Sequence, residues 1–195
     1  SGIGFLLPHN TRIRNHILIP PKAKGGARHG QLVSVLLTDY PSATLGAKGE
    51  VEEVLGDHLD PGLEIDVAIR AHGIPWEWPD KVLREASALG EEPAEADKTH
   101  RVDLREVPFV TIDGEDAKDF DDAVWCEETS KGFQLRVAIA DVSHYVPVGS
   151  ELDEEASIRG NSVYFPERVV PMFPEVLSNG LCSLKPQVDR LAMVC

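Results

Sequence analysis

The sequence has few cysteines and no long apolar runs, and each shortage excludes a class of protein. Three cysteines occur among 195 residues, an odd number without a CxxC pair, so neither a disulfide framework nor a thiolate zinc site is expected. The longest unbroken apolar run, Leu191–Cys195, has five residues and is too short for a transmembrane helix or a secretory signal. No HxH, HxxxH or HExxH spacing supports zinc chemistry. These shortages favour a cytoplasmic protein without a membrane partner.

The sequence also has few basic residues, and they are unevenly distributed along the chain. The formal net charge is −14, yet residues 1–40 hold five basic residues against the single acid Asp39. These five could contact phosphate groups or be ordinary solvated surface charges, and the sequence leaves both open. They are Arg12, Arg14, Lys22, Lys24 and Arg28. The acidic excess is concentrated in residues 111–128, where eight acids accompany Lys118 alone.

The first 70 residues are predicted to form short strands separated by turns. Several short strands at this spacing are typical of a small antiparallel barrel or sandwich, of which the oligonucleotide-binding (OB) barrel is one candidate. A small β-domain without a ligand is an equally open alternative. The predicted strands are Gly4–Pro8, His16–Pro20, Gln31–Thr38 and Gly49–Leu55.

Residues 75–104 are predicted to contain a helix and a linker. The Pro-rich segment Pro75–Pro79 ends the barrel segment, and Asp80 is a candidate cap for a helix that ends near Leu89, before Gly90. Glu91–His100 is charged and lacks periodicity, as expected of a solvated linker.

A second domain, mixed α+β, is predicted to begin near residue 105. Three segments have the composition of strands, and a helix follows Ser150, whose acid three residues later is a variant of the capping box; Gly160 is its predicted end. The predicted strands are Phe109–Ile112, Asp122–Cys126 and Gln134–Val146.

Four aspartates between two of these strands are the candidate chemical site. Within Thr111–Val124, they are Asp113, Asp119, Asp121 and Asp122. A loop that joins neighbouring strands can fold back and bring such acids together, and gathered carboxylates without basic partners favour a hard cation such as Mg²⁺. A solvated acidic loop and a structural Ca²⁺ site are the alternatives. No EF-hand spacing fits these acids, which weakens the calcium alternative.

Three motifs in this order resemble the start of the catalytic domain of the ribonuclease II / ribonuclease R family, and within it the ribonuclease R branch. They are TIDGEDAKDFDDAV from Thr111, VAIADVSHYV from Val137 and VYFPERVVPMFPEVLSNGLCSL from Val163. Upstream, residues 3–74 resemble most of the cold-shock (OB-type) domain that precedes this catalytic domain. The resemblance implies a processive 3′→5′ exoribonuclease that hydrolyses single-stranded RNA to nucleoside 5′-monophosphates. It implies Mg²⁺ as the cofactor, with Mn²⁺ able to substitute, and no obligate protein partner.

The same resemblance implies a role for five residues. Asp113 and Asp122 match the positions expected to hold Mg²⁺ directly, Asp121 matches the acid needed for hydrolysis, and Asp119 matches an acid that orients the site. Tyr164 matches the aromatic residue that stacks on an RNA base near the 3′ end. Glu115 and Asp116 match no catalytic position, and we expect Cys182 to be a buried structural thiol.

We therefore expect an α+β fold: an OB-type cold-shock barrel at residues 1–74 that lacks its first strand, a helix and linker at 75–104, and the truncated beginning of the catalytic domain at 105–195. On this interpretation the chain is a fragment, weakly active or inactive on its own. The alternative is a non-catalytic RNA-binding module in which the acidic loop is structural.

Overall fold

The computed structural model describes residues 2–42, 45–57, 60–115 and 117–195 of the protein. The chain divides into two compact units, Ser1–Ile74 and Pro75–Cys195. Over the described ranges, every helix is too short or too polar to cross a membrane.

The first unit contains a four-stranded sheet. Its strands follow the order β1-β2-β4-β3, and neighbouring pairs are antiparallel except for β2 and β4, which pair in parallel. Ile17, Ile19 and Ala47 form its buried core. Gly49 lies where β4 pairs with β3. A larger residue would not fit there, because its Cβ would lie 2.5 Å from Val35 Cγ1. The strands are β1 Gly4–Leu6, β2 Ile17–Ile19, β3 Gln31–Asp39 and β4 Lys48–Asp57.

The prediction that the first 70 residues consist only of strands is wrong at their end, where helix α1 spans Leu63–Ala71. Acidic residues in its first turn and Arg70 in its last turn suit the helix dipole. Arg70 also donates two hydrogen bonds of 2.7 Å to the carboxylate of Glu53 on β4. This tertiary contact holds the helix against the sheet, and the strand pattern did not reveal it.

The second unit combines a three-stranded antiparallel sheet, of order β5-β6-β9, with a two-stranded pair, β7-β8, and short helices. The helices are α2 Asp80–Ser87, α3 Glu95–Lys98, α4 Val142–Tyr145 and α5 Glu151–Arg159, with one π-helical turn at Leu177–Leu181. The strands are β5 Asp122–Thr129, β6 Gly132–Ala140, β7 Val163–Tyr164, β8 Val169–Val170 and β9 Ala192–Val194.

The predictions of a helix after Ser150 and of a strand from Asp122 are confirmed most directly, by helix α5 and strand β5. The Ser150 side chain accepts a hydrogen bond from the backbone N–H of Asp153, and Gly160 ends the helix with a φ of 75°. Both signals are local, since each acts within a few residues of the helix end, and this explains why the sequence alone predicts them.

Four other predictions of local structure need correction. The strand expected at Phe109–Ile112 is a single bridge between Val110 and Val124, because Pro108 has no N–H with which to extend the ladder. The strand expected to reach Val146 ends at Ala140, because the next residue, Asp141, caps helix α4. The residue before helix α2 is Pro79, and Asp80 is already helical. The expected linker contains α3, one helical turn.

The core of the second unit lies among α2, α5 and the π-helical turn. Val82, Leu152, Leu177 and Leu181 are almost fully buried there. Arg159, at the end of α5, is also buried, with its side chain 2% exposed. Its guanidinium lies 3.4 Å from the centre of the Trp78 ring, pairs with Glu155 at 2.9 Å and donates to the carbonyls of Glu77 and Pro171. One arginine thus ties the Pro-rich segment to helix α5.

We predict that Arg159→Ala lowers the free energy of unfolding by about 3–5 kcal/mol, because it leaves the Glu155 carboxylate buried without its partner. Urea denaturation monitored by circular dichroism measures this change. Arg84→Ala, at an exposed position of helix α2, is the matched control and should change stability by no more than about 0.5 kcal/mol. Equal stability of the two variants would contradict the assigned role.

Candidate active site

The aspartate loop, residues 111–121, lies between the bridge at Val110 and the start of β5. The bridge holds the two ends of the loop side by side, since Val110 and Val124 exchange two hydrogen bonds of 2.9 and 2.8 Å. Ala140, the last residue of β6, donates its N–H to the carbonyl of Asp121 at 2.9 Å. The chain therefore folds back on itself, as the strand–loop–strand pattern predicted.

Ser183 fixes the backbone of this loop from the other side. Its side chain is fully buried, donates to the carbonyl of Lys118 at 2.7 Å and accepts from the N–H of Phe120 at 3.1 Å. Leu184 adds a hydrogen bond from its N–H to the carbonyl of Phe120, at 2.8 Å. Asp119 thus lies between two backbone groups that Ser183 holds. Sequence analysis missed Ser183: it belongs to the third family motif, but no pattern within the motif indicates that it reaches the aspartates.

The four aspartates are close enough to affect one another's charge. The pKa of Asp121 is raised above its usual 3.8, first by loss of hydration and then by the negative charges of Asp119, Asp122 and Asp113. Asp119 is half-buried and the other three are exposed. None of the four forms a salt bridge with a basic side chain in the described part of the chain. No basic side chain of the described residues therefore offsets the repulsion among the four carboxylates.

This donor set suits a hard divalent cation in its chemistry, because it consists of carboxylate oxygens without a competing basic group. Its side chains do not form a ready coordination sphere: across the described ranges, no three His, Cys, Asp or Glu side chains converge closely enough to hold a metal ion. The structure thus places three of the predicted aspartates in the loop and Asp122 at the start of β5, close enough for their charges to interact, but their side chains do not converge on one point. Asp116 lies outside the described residues, and Glu115 is exposed.

Tyr164 joins the aspartate loop directly. Its hydroxyl donates a hydrogen bond of 2.6 Å to Oδ2 of Asp119, and this bond raises the pKa of Tyr164 because the neutral phenol is the donor. The residue remains 62% exposed, which leaves ring surface accessible for stacking. The sequence predicts only a contact between Tyr164 and RNA, and it does not predict the contact between Tyr164 and Asp119.

Cys182 is 3% exposed, and burial is the first cause that raises its pKa to about 12. The charges of Asp121 and Asp141 act in the same direction. The structure thus confirms that Cys182 is a buried thiol, and burial keeps it from the reactants that a nucleophile must reach.

The candidate phosphate contacts lie in the first unit. Arg12, Arg14, Lys22 and Arg28 are exposed, and Lys24 is half-buried. No salt bridge to an acid involves these five within the ranges described. Exposed aromatic side chains of the same unit are Phe5 and Tyr40, at 70% and 78% exposure.

Comparison with known proteins covers both units. A model of the cold shock domain matches residues 5–79, and a model of the RNB domain matches residues 101–195. Ribonuclease R of Vibrio parahaemolyticus is 58% identical over all 195 residues. The chain belongs to the ribonuclease II / ribonuclease R family. The predicted resemblance is thereby confirmed, and with it the fold class of an OB-type cold-shock domain followed by part of an α+β RNB domain.

Solved structures agree with this assignment of the fold. The structure of Mycoplasma genitalium RNase R in complex with double-stranded RNA matches with a TM-score of 0.87 and 35% identity, over 98% of this chain and 35% of that one. Yeast Ssd1, a pseudonuclease, matches with a TM-score of 0.63 and 18% identity, over 98% of this chain and 25% of that one, which shows a shared fold alone. The chain spans 23% of the length of the Vibrio parahaemolyticus protein and 24% of the ribonuclease R of Escherichia coli.

We predict that Ser183→Ala lowers the free energy of unfolding by about 1–3 kcal/mol, because two backbone groups of the aspartate loop lose their buried partner. Thermal and urea unfolding measure the loss. Ser178→Ala is the matched control in the same segment, since the Ser178 hydroxyl makes only a 3.5 Å contact within its own turn. A Ser183 variant as stable as the control would refute the role of this side chain in holding the loop.

We predict that Asp121→Asn stabilises the chain at neutral pH when no divalent cation is present. A carboxyl whose folded pKa is raised costs stability as the pH rises from about 3.8 through that raised value, and asparagine does not titrate. Because Asp121 reaches solvent, the gain in Tm should be small, about 1–2 °C.

Thermal unfolding between pH 3 and 8 in EDTA tests this. The gain should vanish at the acidic end, where wild-type Asp121 is protonated. Asp80→Asn, in the first turn of helix α2, should instead lower Tm slightly at neutral pH, since a negative charge there favours the helix dipole. A Tm for Asp121→Asn at or below wild type at pH 7 would contradict the repulsion.

Proposed function

We propose that this chain is the cold-shock domain and leading catalytic segment of a processive 3′→5′ exoribonuclease. The proposed reaction is Mg²⁺-dependent hydrolysis of single-stranded RNA to nucleoside 5′-monophosphates. The observation that supports it is the contact between Tyr164 and Asp119 within the RNB-matching segment, because it joins an exposed aromatic ring to a loop of uncompensated carboxylates. A site for metal-dependent RNA hydrolysis needs both an RNA-binding surface and carboxylates that can hold the cation.

Each acid has a distinct proposed role. Asp113 and Asp122 would hold Mg²⁺, with Mn²⁺ able to substitute, and the bound ion would supply Lewis-acid polarisation of the scissile phosphate. Asp121, whose pKa is raised, would orient the attacking water and accept its proton. Asp119, held by Tyr164 and by the backbone at Ser183, would fix the geometry of the loop.

RNA would be bound through its general features, not its sequence. Stacking of a base on the Tyr164 ring contributes about 1–3 kcal/mol for any base, which suits an enzyme that degrades every sequence. Five basic residues of the first unit, which form no salt bridge within the described ranges, would contact phosphates: Arg12, Arg14, Lys22, Lys24 and Arg28. All three cysteines are free thiols, in keeping with a proposed cytoplasmic location.

The second candidate function is a non-catalytic RNA-binding module, in which the acidic loop is structural. One observation favours it: the acids do not converge into a metal-holding group in the described part of the chain. The two candidates differ in whether RNA is cleaved.

We predict that 5′-labelled single-stranded RNA is shortened stepwise from its 3′ end, in the presence of Mg²⁺, by the full-length protein that contains this chain. The 195 residues alone should cleave it poorly or not at all. Asp121→Asn in the full-length protein should lower the cleavage rate by at least about 100-fold and leave RNA affinity within about twofold, because it removes the proposed proton acceptor and no RNA contact.

Gel electrophoresis of the products measures cleavage, and gel-shift titration in EDTA measures affinity. Asp80→Asn is the control for a charge change outside the loop. Intact RNA with the full-length protein and Mg²⁺, together with retained binding, would reject the nuclease and support the binding module.

A further inference from the structure

Tyr164 combines two properties that usually exclude one another: high exposure and a short hydrogen bond to a distant side chain. The residue is 62% exposed, yet its hydroxyl donates to Asp119 Oδ2 at 2.6 Å across 45 residues of chain. An exposed phenol can be satisfied by water, so hydration alone does not demand this partner. The bond therefore orders two side chains that solvent would otherwise leave free to rotate.

Asp119 is the only one of the four aspartates held in this way among the described residues. Ser183 bonds to the backbone on either side of it, at Lys118 and Phe120, and Tyr164 bonds to its carboxylate. The carboxylates of the other three accept no hydrogen bond from a described protein group. A bond between a neutral phenol and a carboxylate is charge-assisted and stronger than one between neutral groups, so it restricts the orientation of Asp119.

We propose that Tyr164 is a positioning residue for Asp119 as well as an RNA-stacking residue, so that binding of a base and the orientation of the acid are coupled. The inference rests on the proposed function, because it gives the stacking residue a second task in the same site. One ring can serve both roles, because a base would stack on its face while the hydroxyl lies at its edge.

The coupling between base binding and the orientation of Asp119 follows from the restricted motion of the Tyr164 side chain. A base stacked on the ring would restrict the χ1 torsion of Tyr164, and this torsion sets the position of the hydroxyl oxygen. Asp119 would then be most ordered when RNA is bound, and by linkage the ordered Asp119 would favour the ring orientation that accepts the base. The site would be assembled fully only on its substrate.

Tyr164→Phe separates the two tasks, because phenylalanine keeps the ring and removes only the hydroxyl. In the full-length protein, we expect RNA affinity in EDTA within about twofold of wild type and a single-turnover cleavage rate about tenfold lower, the effect of losing one charge-assisted hydrogen bond. Tyr164→Ala should lose both affinity and rate. Tyr145→Phe is the matched control, since its buried hydroxyl has no hydrogen-bond partner among the described residues. It should behave as wild type.

A second measurement does not depend on activity. The ultraviolet absorbance of the phenolate, with the Tyr164→Phe titration subtracted, reports the pKa of Tyr164 in the 195-residue chain. Asp119→Asn should lower this pKa toward the usual 10.0, because the hydrogen bond to the carboxylate is the largest cause of the raised value.

The outcomes separate the two proposals. A wild-type protein that binds RNA and never cleaves it overturns the proposed function. An active wild type with Tyr164→Phe at the same rate overturns the positioning role and leaves the nuclease intact. Loss of affinity in Tyr164→Phe equal to that in Tyr164→Ala, or an unchanged phenol titration in Asp119→Asn, also overturns the inference.

Discussion

Repulsion among four carboxylates in ten consecutive residues is the constraint on which the second unit depends. Loss of hydration first and this repulsion second raise the pKa of Asp121, and no basic side chain of the described residues pairs with the four carboxylates. Repulsion among these charges would drive the residues of an unsupported loop apart. Groups outside the loop must therefore hold its backbone in place. Ala140 holds it from β6, and Ser183 and Leu184 hold it from the segment after the π-helical turn.

The supports of the loop are in turn anchored in the core. Ser183 and its neighbour Cys182 are buried, and Leu177 and Leu181 of the π-helical turn pack with helices α2 and α5. Arg159 ties α5 to the Pro-rich segment around Trp78. The backbone of the acidic loop is thus held by groups that are anchored in the core, and the Asp119 carboxylate adds its own contact with Tyr164. Such a scaffold can be kept while the chemistry changes.

Predictions from the sequence succeeded where the signal acts within a few residues. The Ser150 cap, the Gly160 end of α5 and the strand that follows the aspartate loop are of this kind. Some failures have a local cause, such as Pro108 or the Asp141 cap, and others depend on a distant partner. Helix α1 is held by an arginine that contacts β4, and β6 ends early because Asp141 uses its side chain to cap α4 and to accept a 2.7 Å bond from Arg101. Neither partner is visible in the local pattern.

The sequence by itself determined which chemistry is available: four acids on one strand–loop–strand segment, one aromatic residue in a later motif, and the family to which both belong. The tertiary structure alone decided how these residues meet. Tyr164 reaches Asp119 across 45 residues, and Ser183 reaches Phe120 across 63, because burial of the intervening segments brings them together. A local pattern specifies hydrogen bonds between neighbours, whereas contacts over such separations exist only after the core has formed.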